Sequence, residues 1–381
     1  NKMQAAKLAP TEVLAEQHYL THTSLLAGSN VRIERFTGRS KRAGKGAPLK
    51  ALANGEIHIA VGTQALIQKD IEFANLGIVV IDEQHKLGVL QRSTLKDKGF
   101  APHYLVMTAT PIPRTLALSY FADFDVTAID ELPPGRQPIE TKYLRYNQAP
   151  AAYDFVRTQV KARRQAYVVV PQIEENGIDD RASVKARFEE LSSKSLHGLR
   201  LAMMHGRMPA EEREQVMREF RSGAIDVLVA TTVIEVGIDV PNATVIVIES
   251  AERFGLSQLH QLRGRVGRGE HSSHCLLLSD AINDEAIARL TAMTETSSGF
   301  DIAEMDLKLR GPGQFFGTRQ HGLPELKLAD ISQELDLLKV ARDDATELLE
   351  QDPDLRRPTH KHLRQALIDR FGDSIPLANV G

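Results

Sequence analysis

Short apolar segments that alternate with longer helical patterns constrain the fold of this 381-residue chain more than any other feature. Continuous apolar strands with helices between them are typical of parallel sheets that are covered on both faces. The predicted strands are Ile57–Val61, Ile78–Ile81, Tyr104–Met107, Tyr167–Val170, Leu201–Met204, Val227–Ala230, Val245–Ile248 and Cys275–Leu278. Because ligands gather at the carboxyl ends of such strands, we expect the functional residues there.

Composition narrows the class of protein. With 42% hydrophobic and 25% charged residues, the chain is ordinary for a globular protein and long enough for two core domains. The single cysteine, Cys275, excludes an internal disulfide framework and is predicted to lie in the core. No apolar run reaches the roughly 18 residues of a membrane span. A formal charge of −3 neither favours nor excludes nucleic-acid binding, since a local basic stripe can lie on a neutral protein.

Two breaks divide the chain. Glu131–Gly135 contains two prolines and a glycine, which predicts an interdomain linker. Near Met293–Gly299 the strand pattern ends, and a region rich in Gly, Arg and Lys follows. The predicted units are therefore residues 1–132, 133–292 and 293–328, followed by a helical tail at 329–381.

The strand before Asp82 and Glu83 ends as a Walker B strand does, with one acid for Mg²⁺ and the next for the attacking water. An exposed turn after a strand is the alternative. Such a site needs a glycine-rich phosphate loop, and the only near match, Gly38–Gly46, has its glycines one residue too far apart. We interpret it as a flexible basic loop. Either the nucleotide site never existed, or its loop precedes Asn1.

An ordered set of motifs decides whether the nucleotide site never existed or its phosphate loop precedes Asn1. The segments are Ala9–His18, Val61–Ile67, Thr108–Arg114, Ala230–Pro241 and Gln261–Arg268. In this order they resemble motifs Ia to VI of superfamily 2 helicases, and the resemblance covers most of the chain. It implies an α/β fold with two RecA-like lobes, at 1–132 and 133–292, and a phosphate loop upstream of Asn1.

Three further segments narrow the resemblance. Asp82–Val89 resembles the DEQH box of the RecG family of bacterial branched-DNA helicases, in which Arg-Phe usually stands at Lys86-Leu87. Gly299–Gly313 and Gly317–Gly322 resemble the translocation motif that this family shares with transcription-repair coupling factors. This implies a helical hairpin within 293–328 and a C-terminal helicase fragment that is inactive alone.

The resemblance implies a nucleotide site shared by both lobes. Asp82 would bind Mg²⁺, and Arg265 and Arg268, predicted on one helical face with Gln261, would stabilise phosphoryl charge. The plain alternatives are a surface histidine for His85, a turn acid for Asp239 and a solvated basic helix for the segment with Arg265 and Arg268. The implied catalytic residues are Asp82, Glu83, Gln261, Arg265 and Arg268, and the implied ATP-binding residues are Asp82, His85, Gly237, Asp239, Arg265 and Arg268.

Hydroxyl and backbone N–H groups after strands suit DNA phosphates, although each threonine alone also suits a helix cap. The predicted DNA-binding residues are Thr11, Thr37, Gly38, Arg39, Thr63, Thr108, Thr110, Thr231 and Thr232. Arg310, Arg319 and Gln320 are the predicted residues that convert lobe closure into DNA movement. A hairpin that only braces the lobes is the alternative.

For the intact protein, the resemblance implies ATP- and Mg²⁺-dependent remodelling of stalled forks and Holliday junctions. The implied partners are branched double-stranded DNA and single-strand DNA-binding protein, with no membrane. The implied state is a monomer in the bacterial cytoplasm, associated with the nucleoid. A transcription-repair coupling translocase and a non-catalytic DNA-binding scaffold remain the alternatives.

Overall fold

Two parallel sheets organise the protein. The computed structural model describes residues 3–36, 46–68, 71–82, 102–108, 127–129, 131, 136–171, 180–232, 239–310 and 335–371. A five-stranded sheet lies within residues 4–107, and a six-stranded sheet lies within residues 139–278. Every described strand pairing is parallel, which confirms the predicted α/β fold with two lobes.

The first sheet has the strand order β2-β3-β1-β4-β5. Its strands are β1 (Gln4–Leu8), β2 (Ile33–Phe36), β3 (Ile59–Gly62), β4 (Leu76–Asp82) and β5 (His103–Met107). Helix α1 (Glu12–Leu25) follows β1, helix α2 (Gly46–Ala53) precedes β3, and a 3₁₀ turn at Gln64–Ile67 follows β3. The core of this lobe packs apolar side chains of α2 against one face of β1, β3 and β4.

Strand β1 lies just before the Ala9–His18 segment and is absent from the predicted strands. Burial alternates along it, with Gln4, Ala6 and Leu8 inside, as one covered face of a strand requires. The amide of Gln4 donates to the carbonyls of Leu52 (2.9 Å) and Ile57 (2.7 Å). Two alanines and a lysine give a weak strand signal, and parallel pairing on both sides of β1 overrides it.

The second sheet has the strand order β6-β11-β10-β7-β9-β8. Its strands are β6 (Ile139–Leu144), β7 (Gln165–Val169), β8 (Leu201–Met204), β9 (Val227–Ala230), β10 (Ala243–Glu249) and β11 (Ser273–Leu278). Its helices are α3 (Ala149–Lys161), α4 (Asp180–Ser193), α5 (Ala210–Arg221), α6 (Leu256–Arg263) and α7 (Asp284–Glu295), with 3₁₀ turns at Tyr146–Gln148 and Ala251–Arg253. Separate apolar clusters cover its two faces.

All eight predicted strands are present, and Cys275 is fully buried in β11 as predicted. The prediction missed β1, β2 and β6. Strands β2 and β6 lie at sheet edges and carry charged residues, so their apolar signal is weak.

The C-terminal part is helical, with α8 (Gly299–Arg310), α9 (Leu335–Gln351), a 3₁₀ turn at Pro358–His360 and α10 (Lys361–Phe371). The tail is interrupted between α9 and α10, where Pro353 and Pro358 lie. The second half of the predicted hairpin and residues 132–135 of the predicted linker lie outside the described residues. Among the helices that are described, none has the length and apolar character that crossing a membrane requires.

Candidate functional site

Asp82 ends β4 at the carboxyl edge of the first sheet. Its Oδ2 lies 3.0 Å from Nε2 of His18 on α1, and the two side chains are 22% and 18% exposed. Carboxylate oxygens are the donors that Mg²⁺ prefers, usually one or two of them together with phosphate oxygens and water. A partly exposed carboxylate at the end of a parallel strand therefore fits an Mg²⁺ ligand.

A second polar pair lies beside this contact. Nζ of Lys7 in β1 is 3.3 Å from Nε2 of His22, and the rings of His18 and His22 stack with centroids 6.3 Å apart. Burial lowers the pKa of Lys7, while the charge of Asp82 opposes that shift. Burial, followed by the charges of Lys7 and His18, lowers the pKa of His22, so its neutral ring can accept a hydrogen bond from the Lys7 ammonium.

Three predicted DNA-binding threonines stand at the same edge of the first sheet. Thr11 caps α1, because its Oγ1 accepts a hydrogen bond from the N–H of Leu14 at 3.3 Å. Thr63 follows β3, and its hydroxyl makes no capping hydrogen bond within the described part of the chain. Thr108 follows β5 and is exposed. The helix-cap alternative thus holds for Thr11, without excluding a phosphate contact.

Arg265 and Arg268 do not share a helical face, contrary to the prediction. Helix α6 ends at Arg263, and Gly267 has φ +75°, in the left-handed region. Arg265 is buried, whereas the side chain of Arg268 is 28% exposed. Glycines at 264 and 267 disfavour helix continuation, and this breaks the three-residue spacing on which the prediction depended.

Arg268 faces Asp239 across the end of this segment. Its Nη1 lies 3.7 Å from Oδ1 of Asp239, and its Nε donates to the carbonyl of Gly264 at 3.0 Å. Burial raises the pKa of Tyr167 in β7, and the charges of Arg265, Arg268 and Asp239 also act on it. Arg268 and Asp239 thus form an ion-pair contact, and the buried Tyr167 stays protonated.

Gly267 permits close packing inside the second lobe. A Cβ at this position would lie 2.8 Å from Cγ1 of Ile139 in β6. Its carbonyl accepts a hydrogen bond from Nε of Arg136 at 3.0 Å. The close approach that this glycine allows is thus to a strand of the same lobe.

Thr231 and Thr232 differ in solvent exposure. Thr231 is 3% exposed, and its N–H donates to the carbonyl of Met204 at 3.2 Å. Its backbone donor is therefore already bonded within the sheet. Thr232 is half-buried and is the more accessible of the two.

A buried polar network closes the carboxyl end of β10. Arg187 of α4 donates through Nε to both carboxylate oxygens of Glu249, at 2.9 and 2.8 Å. The hydroxyl of Tyr153 in α3 donates to the same carboxylate. Burial raises the pKa of Tyr153, so the phenol stays protonated and remains a donor.

Arg263 connects α6 to the start of the predicted translocation region. Its guanidinium donates to the carbonyls of Met293 (3.0 Å), Thr296 (2.8 Å) and Ser297 (3.1 Å), just before α8. It also lies 3.1 Å from Nδ1 of His260. Burial, followed by the charge of Arg263, lowers the pKa of His260 to about 4.

The remaining predicted residues are placed as follows. Gln261 is half-buried on α6, and Arg310 is the last residue of α8. The predicted residues outside the described part of the chain are Thr37, Gly38, Arg39, Glu83, His85, Thr110, Gly237, Arg319 and Gln320.

Sequence reasoning missed four residues that organise these sites. His18 and Arg263 lie inside recognised motifs, and Arg136 directly follows the predicted linker, so each carried a local signal. Arg187 carried none, because its partner Glu249 is 62 positions away.

Family models match three parts of the chain. The "DEAD/DEAH box helicase" model matches residues 1–118, and "Helicase conserved C-terminal domain" matches residues 150–270. "ATP-dependent DNA helicase RecG, domain 3, C-terminal" matches residues 296–378.

Curated relatives give the same result. The chain is 48% identical to ATP-dependent DNA helicase RecG of Synechocystis sp., over 97% of the chain and 44% of the relative. It is 46% identical to that of Bacillus subtilis, over 96% of the chain and 54% of the relative. The chain therefore spans about half the length of the curated relatives it matches.

Solved structures show the fold independently. DUF1998 helicase MrfA, bound to DNA and AMPPNP, has a TM-score of 0.58 at 18% identity, covering 90% of this chain and 52% of MrfA, which is evidence for the fold alone. A structure of RecG bound to a three-way DNA junction has a TM-score of 0.71 at 44% identity, covering 88% of this chain and 44% of that one. With the translocation-region match following two helicase lobes, this chain belongs to the RecG family of ATP-dependent DNA helicases.

Proposed function

We propose that the full-length protein containing this chain uses ATP and Mg²⁺ to move along the double-stranded arms of branched DNA, remodelling stalled forks and Holliday junctions. The observation that carries the proposal is the 44% identity, over 88% of this chain, to RecG that was solved on a three-way junction. The match of residues 296–378 to the RecG domain favours this activity over transcription-repair coupling.

In the first lobe, Asp82 would hold Mg²⁺, which neutralises charge that develops on the transferred phosphoryl group. Glu83 would orient or deprotonate the attacking water, and His85 would respond to the nucleotide. The exposure of Asp82 at the carboxyl edge of the sheet supports its part of this assignment.

In the second lobe, Arg268 is the stronger candidate for an arginine finger. Its guanidinium is partly exposed beside Asp239, whereas Arg265 is buried. A planar guanidinium suits phosphoryl charge. Gln261, Gly237 and Arg265 would complete this half of the nucleotide site, and hydrolysis would require closure of the two lobes.

Threonines at the strand ends would hold DNA phosphates, with Thr11, Thr63, Thr108 and Thr232 the accessible ones among those described. Arg310, Arg319 and Gln320 would convert lobe closure into DNA movement. Single-strand DNA-binding protein is the proposed protein partner. We further propose a monomer in the bacterial cytoplasm, associated with the nucleoid.

The test compares ATP hydrolysis and unwinding by the full-length gene product on a three-way junction and on a linear duplex of equal length. We expect junction unwinding that requires ATP and Mg²⁺. Glu83→Gln should retain Mg²⁺-ATP binding and lose turnover. Residues 1–381 alone should not hydrolyse ATP significantly, because they contain no G-x-x-x-x-G-K-[ST] segment. A full-length protein that binds junctions without hydrolysis would instead support the scaffold alternative.

Movement is separable from hydrolysis in the same assays. Arg319→Ala or Gln320→Ala should leave substantial DNA-stimulated hydrolysis and strongly reduce junction unwinding. A hairpin that only braces the lobes predicts parallel loss of hydrolysis, unwinding and Tm.

A further inference from the structure

One face of α1 connects a predicted DNA-binding residue to a predicted metal ligand. Thr11, Ala15, His18 and His22 follow each other at spacings of three and four, which places them on one side of a helix. Ala15 is buried against the sheet, Thr11 caps the first turn, and His18 contacts Asp82. Thr11 and His18 are separated by about 10 Å along the axis of a rigid element.

The contact between His18 and Asp82 has the geometry of an orienting hydrogen bond. Nε2 of His18 is 3.0 Å from Oδ2 of Asp82, and both side chains are mostly buried. A carboxylate has two oxygens and about four lone-pair directions, so one hydrogen bond at Oδ2 is compatible with metal ligation.

The His18 ring is itself held in place. It stacks on His22 with 23° between the ring planes, and Nζ of Lys7 in the neighbouring strand lies 3.3 Å from Nε2 of His22. Lys7 pairs in register with Val80, two residues before Asp82. His18 thus has His22 as a ring neighbour on the same helix face, and His22 in turn contacts Lys7 of the sheet.

We propose that His18 is a positioning residue that orients the Asp82 carboxylate for Mg²⁺ and transmits displacement of the α1 N-terminus to it. This inference rests on the proposed function, since it takes Asp82 as the metal ligand and Thr11 as a DNA contact. Groups that orient a metal ligand set the direction of its lone pairs, and their removal typically weakens metal binding by about 10- to 100-fold. When DNA phosphate at Thr11 shifts α1, His18 moves with the helix and changes the orientation of the carboxylate.

The test measures metal-dependent nucleotide binding without turnover. The full-length gene product is titrated with Mn²⁺ at a fixed concentration of a fluorescent, non-hydrolysable ATP analogue, with and without a three-way DNA junction. His18→Leu removes the donor and His18→Asn is too short to reach Asp82, so both should raise the half-saturating Mn²⁺ concentration about tenfold or more. His18→Gln, which can place an N–H near the position of Nε2, should recover most of that loss.

The titrations with junction DNA test whether His18 transmits movement of α1 to Asp82. In the parent, junction DNA should change the half-saturating Mn²⁺ concentration, and in His18→Leu that dependence should disappear. The exposed His197→Leu is the matched control and should behave as the parent in both arms. Melting temperatures of all variants separate positioning from folding, since recovery by His18→Gln at an unchanged Tm is not expected of a purely structural histidine.

Asp82→Asn distinguishes a failure of the proposed metal site from a failure of the positioning role of His18 alone. If this variant binds Mn²⁺-nucleotide as the parent does, Asp82 is not the ligand and the proposed site fails. If Asp82→Asn loses binding while His18→Leu and His18→Asn retain parental Mn²⁺ dependence, only the positioning role is overturned. Tighter Mn²⁺ binding in His18→Leu would also overturn it, because His18 would then compete with the metal.

Discussion

The two sheets follow the same parallel design, but their described residues are enclosed to different degrees. All seven residues of β10 are buried, as are all those of β7 and β9. In the first sheet burial alternates along β4, and Ile78 and Leu105 are 38% and 51% exposed. Two large apolar clusters cover the faces of the second sheet, whereas the described part of the first lobe has one larger cluster on one face and a small one around Leu14 and Val61 on the other.

This difference changes how functional side chains are held. In the second lobe, Glu249 ends the buried strand β10 and pairs with Arg187 of α4, and Arg268 lies between α6 and β11, where it contacts Asp239. In the first lobe, Asp82 ends β4, which is partly exposed along its length, and contacts His18 of α1. A fully buried strand therefore carries Glu249 and a partly exposed strand carries Asp82, while hydrogen bonds orient the side chains in both lobes.

The largest expected effect tests the better-enclosed site. In the full-length protein, Arg268→Ala should lower ATP turnover by about 10³-fold while nucleotide binding stays within several-fold, because a finger arginine stabilises charge that develops in the transition state. Arg218→Ala, on the exposed side of α5, is the control. Single-turnover hydrolysis and equilibrium binding measure the two quantities, and parental turnover in Arg268→Ala would remove it from the site.

Core truncations test the difference in enclosure itself. Ile246→Ala in β10 should lower the free energy of unfolding by about 2–5 kcal/mol, because the side chain is fully buried. Ile78→Ala in β4 should cost about 1 kcal/mol or less, since much of that side chain is already exposed. Denaturant unfolding of the 381-residue chain, followed with a probe in each lobe, measures both. Equal costs would mean that the first sheet is as enclosed as the second.

His260 gives the stability of the second lobe a pH dependence. Its pKa falls from 6.5 to about 4 on folding, because the ring is buried and Nδ1 lies beside the Arg263 guanidinium. The unfolded chain binds the proton more readily, so this stability is present above pH 6.5 and is lost as the pH falls towards 4. The loss should reach about 2–3 kcal/mol. Unfolding of the second lobe between pH 7 and 4 measures it, and His260→Gln should flatten the curve; an unchanged slope would contradict the assignment.

The smallest effect concerns the edge of the first sheet. Thr11→Ala should cost about 1 kcal/mol by loss of the α1 cap. Thr11→Asp should keep the cap and the stability, yet weaken DNA binding if Thr11 contacts a phosphate. Melting temperature and junction affinity on the same preparations distinguish the two roles. Parental affinity in Thr11→Asp would leave Thr11 as a helix cap alone.

The sequence by itself determined the features that depend on neighbours along the chain. Strands β8 and β9 were predicted to the residue, because each is a short, continuous apolar run. The family resemblance rested on motif order, which is also a property of the chain alone. Local signals failed for edge strands β2 and β6, whose polar residues hide the pattern.

Only the tertiary structure decided which side chains meet. His18 and Asp82 are 64 positions apart, and Arg136 and Gly267 are 131 apart, so no local pattern could pair them. The helical spacing predicted a shared face for Arg265 and Arg268, but the left-handed Gly267 lies between them and they have different exposure. Periodicity predicts contacts only where the backbone stays regular, and the polar contacts at these sites form where strands and helices end.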